Sequence, residues 1–353
     1  MQSTKVYRYN QPFTLQAGGQ LPGFELAYQC WGQLNAEKDN VIWVCHALTG
    51  NTDVESWWPG TVGPGKMLDT DRYFIICANV LGGCYGSTGP LSLNPTTYQP
   101  YYHSFPLLSI ADAVAAFDQL RKYLGIQSLA MLVGGSLGGQ QAVQWAVSQP
   151  ELVKKLVLLA TNARHSPWGI AFNEAQRMAI ENDSSWNSKS PDAGMEGLKT
   201  ARAIAMLSYR TYQIYNGKQE EKHPRPLDAF RASSYQQYQG QKLAQRFNAF
   251  TYRTLSKMMD SHDVGRSFSS GEEALGRVKA KTLVIGVDSD ILFPVEEQKY
   301  IAQHIPEAVF CMIHSDFGHD GFLVETEAVV EAVKRELDFP ETGDKLKPAF
   351  KED

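Results

Sequence analysis

Ser136 lies in Gly134-Gly135-Ser136-Leu137-Gly138-Gly139, after the apolar run Leu129–Val133 and before a helix-like stretch, Gln140–Ser148. A Gly-x-Ser-x-Gly turn between a strand and a helix is a nucleophile elbow. The flanking glycines are expected because so tight a turn has no room for a Cβ. The turn lifts the hydroxyl above the sheet edge, and the following helix aims free N–H groups and partial positive charge at an oxyanion formed beside it. The chemistry this predicts is acylation of Ser136.

A hydroxyl needs a base to take its proton, and the base needs an acid to orient it. When the elbow belongs to an α/β-hydrolase fold, these partners follow in the order serine, acid, histidine. The strand-like run Thr282–Val287 ends at two carboxylates, Asp288 and Asp290. Their spacing does not choose between them. Leu292, Phe293 and Pro294 indicate that the chain has left the sheet by Asp290, where a loop carboxylate can turn toward a histidine, and this favours Asp290. The next strand-like run, Val309–Ile313, leads into Ser315-Asp316-Phe317-Gly318-His319-Asp320. His319 is the expected base, His314 is expected to be structural, and His304 falls on a helix surface. Two backbone donors are expected for the oxyanion. One is the N–H of Leu137, and the other is the N–H of Leu48, in the loop after Val41–Val44. His46 lies in that loop, Cys45–Gly50, and is expected to brace it by hydrogen bonds.

The elements that must position these groups are legible as alternating strand and helix patterns. Strands are expected at Phe24–Cys30, Val41–Cys45, Tyr73–Cys77, Leu129–Val133, Lys155–Ala160, Thr282–Val287 and Val309–Ile313. Near-continuous Val, Ile and Leu mark strands covered on both faces of a mostly parallel sheet. The helix Ile110–Leu124 has a Ser109 cap, Asp112 in its first turn and Gly125 at its end. A last helix covers about Glu325–Leu337. Between Arg164 and Arg277 the rhythm breaks into helical stretches at Phe172–Glu181, Met195–Leu207 and Gln241–Met259, a candidate lid. The expected organisation is an α/β-hydrolase core at 1–163, a helical lid at 164–277 and the rest of the core at 278–353. The charged tail Glu341–Asp353 is expected to be mobile.

The 353 residues are 43% hydrophobic and 20% charged, with net charge −5, which suits a soluble enzyme and offers no basic run for nucleic acid. No run approaches a membrane span and no secretory signal is visible. The five cysteines form no Cys-x-x-Cys pair, so no zinc site is indicated, and Cys45, Cys77 and Cys311 are expected to be buried. These features predict a cytoplasmic protein. The glycine-rich Leu81–Pro90 lacks the Gly-Lys-Ser/Thr of a phosphate loop and is expected to be a tight loop near the site. Cys84 has no elbow around it. Trp57 and Trp58 are candidates for a pocket mouth or for ordinary aromatic packing.

Taken together, the chain resembles the homoserine O-acetyltransferase family. The matching segments are His-Ala-Leu-Thr-Gly (46–50), Leu-Asp-Thr-Asp-Arg-Tyr-Phe (68–74), Asn-Val-Leu-Gly-Gly-Cys (79–84), Gly-Gly-Ser-Leu-Gly-Gly (134–139), Ala-Arg-Ala-Ile-Ala-Met-Leu-Ser-Tyr-Arg (201–210), Asp-Ser-Asp-Ile-Leu-Phe-Pro (288–294) and Phe-Gly-His-Asp-Gly-Phe-Leu (317–323). Leu137 departs from the Met or Phe common in the family, at a position that needs only its N–H. The resemblance implies ping-pong transfer from acetyl-CoA, a co-substrate rather than a bound cofactor, through acyl-Ser136 to L-homoserine. It implies Asp290 as the triad acid, Arg202 on the homoserine carboxylate with Tyr209 assisting, and Asp320 at the ammonium. It also points to a homodimer through the lid, where Met206, Leu207, Tyr209, Tyr212 and Tyr215 add apolar area. Succinyl transfer, serine as acceptor, ester hydrolysis on the same triad, and a non-catalytic binding role are the alternatives. An intact serine–acid–histidine set argues against the last.

Overall fold

The computed structural model describes residues 3–223 and 225–337. The tail expected to be mobile lies outside them. The strands are β1 (Lys5–Tyr9), β2 (Phe13–Thr14), β3 (Gln20–Leu21), β4 (Phe24–Trp31), β5 (Val41–Cys45), β6 (Phe74–Ala78), β7 (Leu129–Gly135), β8 (Lys155–Leu159), β9 (Lys281–Val287) and β10 (Val309–Ile313). Eight form one sheet in the order β1-β4-β6-β5-β7-β8-β9-β10, while β2 and β3 pair separately. The β1–β4 and β4–β6 pairs are antiparallel, and from β6 to β10 every neighbouring pair is parallel. Alternate side chains of a strand face opposite sides of a sheet. Trp43 accordingly packs edge-on against Trp145, at 4.9 Å between ring centroids, in one core cluster. Ile42 and Val44 enter a second cluster with Met131, Val133, Val157 and Val329. Burial on both faces is why these strands read as unbroken apolar runs.

The helices are α1 (Val54–Trp57), α2 (Ile110–Tyr123), α3 (Leu137–Ser148), α4 (Pro167–Glu181), α5 (Met195–Tyr209), α6 (Tyr212–Gln219), α7 (Arg231–Ala244), α8 (Ala249–Asp260), α9 (Gly271–Leu275), α10 (Val295–His304), α11 (Gly321–Val324) and α12 (Thr326–Glu336). Helix α2 begins with a capping box, in which the Ser109 hydroxyl accepts from Asp112 N–H and the Asp112 carboxylate accepts from Ser109 N–H. Removing such a cap costs about 1 kcal/mol. Helices α4 to α9 occupy the segment between β8 and β9.

Several expectations are corrected. Gln241–Met259 is not one helix. It breaks between Ala244 and Ala249, where the Asn248 side chain accepts from Thr251 N–H at 2.8 Å and starts a new helix. Strand β1 and helix α6 were not foreseen. Strand β1 is an edge strand with a single buried residue, and α6 has no buried residues, so neither carries a strong apolar period. Cys45 and Cys77 are buried, but Cys311 is only half-buried because β10 is a sheet edge. The last helix is preceded by the separate turn α11 and starts at Thr326.

The path through the sheet sets where a site can form. From β5 the chain moves outward to β6, then crosses back to β7 on the other side of β5. Loops leaving the carboxyl ends of β5 and β7 diverge there and open a crevice. Cys45 pairs with Gly134, so the oxyanion-loop candidate and the elbow emerge side by side.

Candidate active site

Ser136 has φ 56° and ψ −126°, a left-handed backbone that costs a non-glycine residue energy and persists only when its surroundings hold it. Its N–H donates to Leu159 O at 3.0 Å, and its carbonyl accepts from Gln140 N–H at 3.1 Å and from Thr161 Oγ1 at 2.9 Å. The glycines make room. A Cβ on Gly134 would stand 2.2 Å from Gly138 O, and one on Gly138 would stand 2.1 Å from Cys45 O.

His319 Nε2 lies 2.9 Å from Ser136 Oγ, and its Nδ1 lies 2.6 Å from Asp290 Oδ2. The other carboxylate oxygen of Asp290 accepts from the N–H groups of Leu292 and Phe293, at 2.8 and 3.0 Å. All three side chains are buried. The imidazole stacks on Phe293 at 5.1 Å and is flanked by Phe322 and Tyr209. Burial disfavours the imidazolium, but the charge of Asp290, its hydrogen bond and the charge of Asp320 outweigh that and raise the His319 pKa above its ordinary 6.5. Asp288, the competing carboxylate, bonds instead to His314 Nδ1 at 2.8 Å and to Ser315 N–H at 3.1 Å.

Leu137 is the first residue of α3, where an N–H has no partner within the helix. Leu48 sits in the loop after β5. The peptide group bearing its N–H is fixed by its carbonyl, Ala47 O, which accepts from Gly50 N–H at 2.9 Å and from His46 Nδ1 at 2.8 Å. Val80 N–H donates to His46 Nε2 at 3.1 Å, which requires the neutral, Nδ1-protonated imidazole. Burial pushes the His46 pKa down to about 4, so that tautomer persists at neutral pH. His46 is therefore a brace in this structure.

A pocket of about 290 Å³ opens onto Ser136 and His319 and is lined in part by Leu48, Trp57, Arg202, Tyr209 and Asp320. Trp57 is thus at the pocket, while Trp58 is buried in the core. Arg202 and Tyr209 lie seven residues apart on α5, two turns along one face, with the guanidinium 5.2 Å from the ring centroid. Asp320 stands at the N-cap position of α11, but its side chain makes no capping bond. Its Oδ2 lies 3.0 Å from Arg210 Nε. Arg210 and Arg246, which also line the pocket, had no role foreseen in the sequence. Arg210 adjoins Tyr209, a weak signal, and Arg246 carried none. The Leu81–Pro90 loop turns beside this region, and burial pushes the Cys84 thiol up to about 11, away from nucleophilic chemistry. A larger groove of about 670 Å³ between α4, α9 and α10 contains none of these groups. Among the described residues, no His, Cys, Asp and Glu cluster is placed to hold a metal, and no helix is long and apolar enough to cross a membrane.

The arrangement can take a proton from Ser136, hold a tetrahedral oxyanion and return the proton to a leaving group. Comparison with known proteins narrows this. Residues 40–326 match a family model described as the alpha/beta hydrolase fold. A homoserine O-acetyltransferase from Cyclobacterium marinum is 49% identical over 330 residues, covering 94% of each chain. The crystal structure of homoserine O-acetyltransferase from Bacillus anthracis superimposes with a TM-score of 0.89 at 25% identity, covering 96% of this chain and 98% of that one. The acetyl esterase MekB superimposes with a TM-score of 0.81 at 27% identity over 95% of each chain. With the elbow, the order of the sheet and near full-length identity in agreement, this chain belongs to the homoserine O-acetyltransferase family of the α/β-hydrolase fold.

Proposed function

We infer that this protein transfers an acetyl group from acetyl-CoA to the side-chain hydroxyl of L-homoserine, giving O-acetyl-L-homoserine, a methionine precursor, and CoA. The observation that carries the chemistry is the buried Ser136–His319–Asp290 chain of hydrogen bonds at 2.9 and 2.6 Å. In the first half-reaction His319 takes the Ser136 proton as Oγ attacks the thioester carbonyl, and the N–H groups of Leu48 and Leu137 hold the oxyanion. The tetrahedral intermediate expels CoA, whose sulfur takes the proton from His319. In the second, His319 takes the homoserine hydroxyl proton, that oxygen attacks the acyl carbon, and Ser136 leaves with the proton returned.

For the acceptor, Arg202 is the proposed partner of the carboxylate, because its planar fork can meet two oxygens. Tyr209 holds the guanidinium on its ring face, and Asp320, oriented by Arg210, is the proposed partner of the ammonium. A buried triad under a lid also restricts the water that would hydrolyse the acyl-enzyme. The likeness to an acetyl esterase keeps hydrolysis as a second reading on the same acyl-enzyme. Product analysis with acetyl-CoA and succinyl-CoA, each against homoserine and serine, decides donor and acceptor. Release of free acetate with homoserine saturating would move the assignment to a hydrolase.

Two broader proposals accompany this one. Five free cysteines and a CoA thioester substrate suit a reducing cytoplasm. Leu207, Tyr212 and Tyr238 are more than half exposed on the lid and support a homodimer through that surface. A monomer by light scattering at micromolar concentration would count against it.

A further inference from the structure

The oxyanion loop is gripped from the lid. Arg246 follows α7, and its Nη1 donates to Thr49 O and to the Tyr85 hydroxyl, each at 2.7 Å. Thr49 C=O shares a peptide group with Gly50 N–H, which donates to Ala47 O at 2.9 Å. Ala47 C=O in turn shares a peptide group with Leu48 N–H. In a trans peptide the C=O and N–H point in opposite directions. The guanidinium, peptide 49–50 and peptide 47–48 therefore connect head to tail, ending on the amide proposed to hold the oxyanion.

Each bond in such a series polarises the next, by about 10–30% per bond. A cation at its head acts in the same direction. It draws electron density toward Thr49 O and leaves the Gly50 and Leu48 N–H groups more positive. Arg202 and Arg210 line the same pocket, but their own contacts run to Tyr209 and Asp320. We infer that Arg246 is a positioning residue for oxyanion stabilisation: from the lid, it orients and polarises the Leu48 amide through two peptide groups in series. This rests on the assignment of Leu48 as a donor. His46 holds Ala47 O independently, so loss of Arg246 weakens the donor without removing it.

The test is the acylation burst of Arg246→Gln and Arg246→Lys with two donors, acetyl-CoA and p-nitrophenyl acetate. The second donor has no phosphates and no nucleotide for an arginine to bind. Loss of a whole oxyanion donor costs ~10²–10³ in kcat. Weakening one is expected to slow the Arg246→Gln burst by roughly 5–30-fold, by the same factor with both donors. Arg246→Lys should recover part of the loss, with the homoserine KM within about twofold of wild type. A slower burst with acetyl-CoA alone would make Arg246 a donor-binding residue and overturn the proposal, as would wild-type bursts with both. If the glutamine variant does not fold, the lysine variant decides: a partial loss shared by both donors supports the relay, and wild-type rates overturn it. If wild-type protein is acylated at Ser136 by p-nitrophenyl acetate but not by acetyl-CoA, the proposed function fails while the relay is still tested.

Discussion

Two aspartate–histidine pairs stand at the ends of the same two strands. Asp288 and Asp290 both follow β9, and His314 and His319 both follow β10. The contacts are alike, 2.8 Å in the outer pair and 2.6 Å in the inner. Their surroundings are not. The outer side chains are 78% and 36% exposed for His314 and Asp288, against 5% and 0% for His319 and Asp290. Water screens the outer pair and leaves it worth little. The inner pair is desolvated, its carboxylate is held by two further N–H groups, and its imidazole reaches a third partner, Ser136. The lesson is that a short aspartate–histidine contact does not define a base. Burial and a nucleophile on the far nitrogen do.

The largest expected effect is loss of that third partner. Ser136→Ala should abolish acyl transfer, by roughly 10⁶ in kcat if it follows other serine enzymes, with an unchanged melting temperature. Mass spectrometry after incubation with acetyl-CoA alone should place one acetyl group on Ser136. An adduct on Cys84 would break the comparison. Next, Asp290→Asn should lower kcat by ~10⁴ through misorientation of the imidazole, while Asp288→Asn should stay within about threefold of wild type because its pair is solvated. Equal activity of the two variants would show that burial does not separate the pairs.

Arg202→Ala should raise the homoserine KM by roughly 10–100-fold, the cost of a lost charged hydrogen bond. Its burst of CoA release without homoserine should be preserved, since only the second half-reaction contains an amino-acid carboxylate. A burst slowed as much as turnover would move Arg202 to the donor site or to the fold.

The pH profile sharpens the same contrast. The proposed mechanism needs neutral His319, and its pKa is raised. The acidic limb of kcat/KM should therefore lie above pH 6.5, with activity falling as pH drops through it. Asp290→Asn should move that limb to lower pH, and Asp288→Asn should leave it in place. The stability linkage has the opposite sign. The His319⁺–Asp290⁻ pair stabilises the fold fully below the unfolded histidine value, and this contribution is lost as pH rises through the raised folded value. The smallest effect belongs to the outer pair, where His314→Ala should change unfolding stability by less than about 1 kcal/mol in denaturant titration.

What the sequence by itself determined is what local pattern encodes. The strand–turn–helix around Ser136, the Ser109 cap and the order serine, acid, histidine each depend on residues a few positions apart or on chain order alone. The apolar runs announced a sheet covered on both faces because such strands need no polar side. Spacing alone left Asp288 and Asp290 open, since both leave the same strand, and the second was favoured by its loop setting and by the family resemblance. Tertiary structure decided how deeply each carboxylate is buried and which histidine it meets. It also decided that Asp320 is held by Arg210 and that Arg246 grips the loop after β5 across 197 residues of chain. Exposed helices such as α6 left little apolar period to read, and an arginine's partner 197 positions away leaves no periodic mark, because side-chain contacts at that range are made by the fold and not by the repeat of any one element.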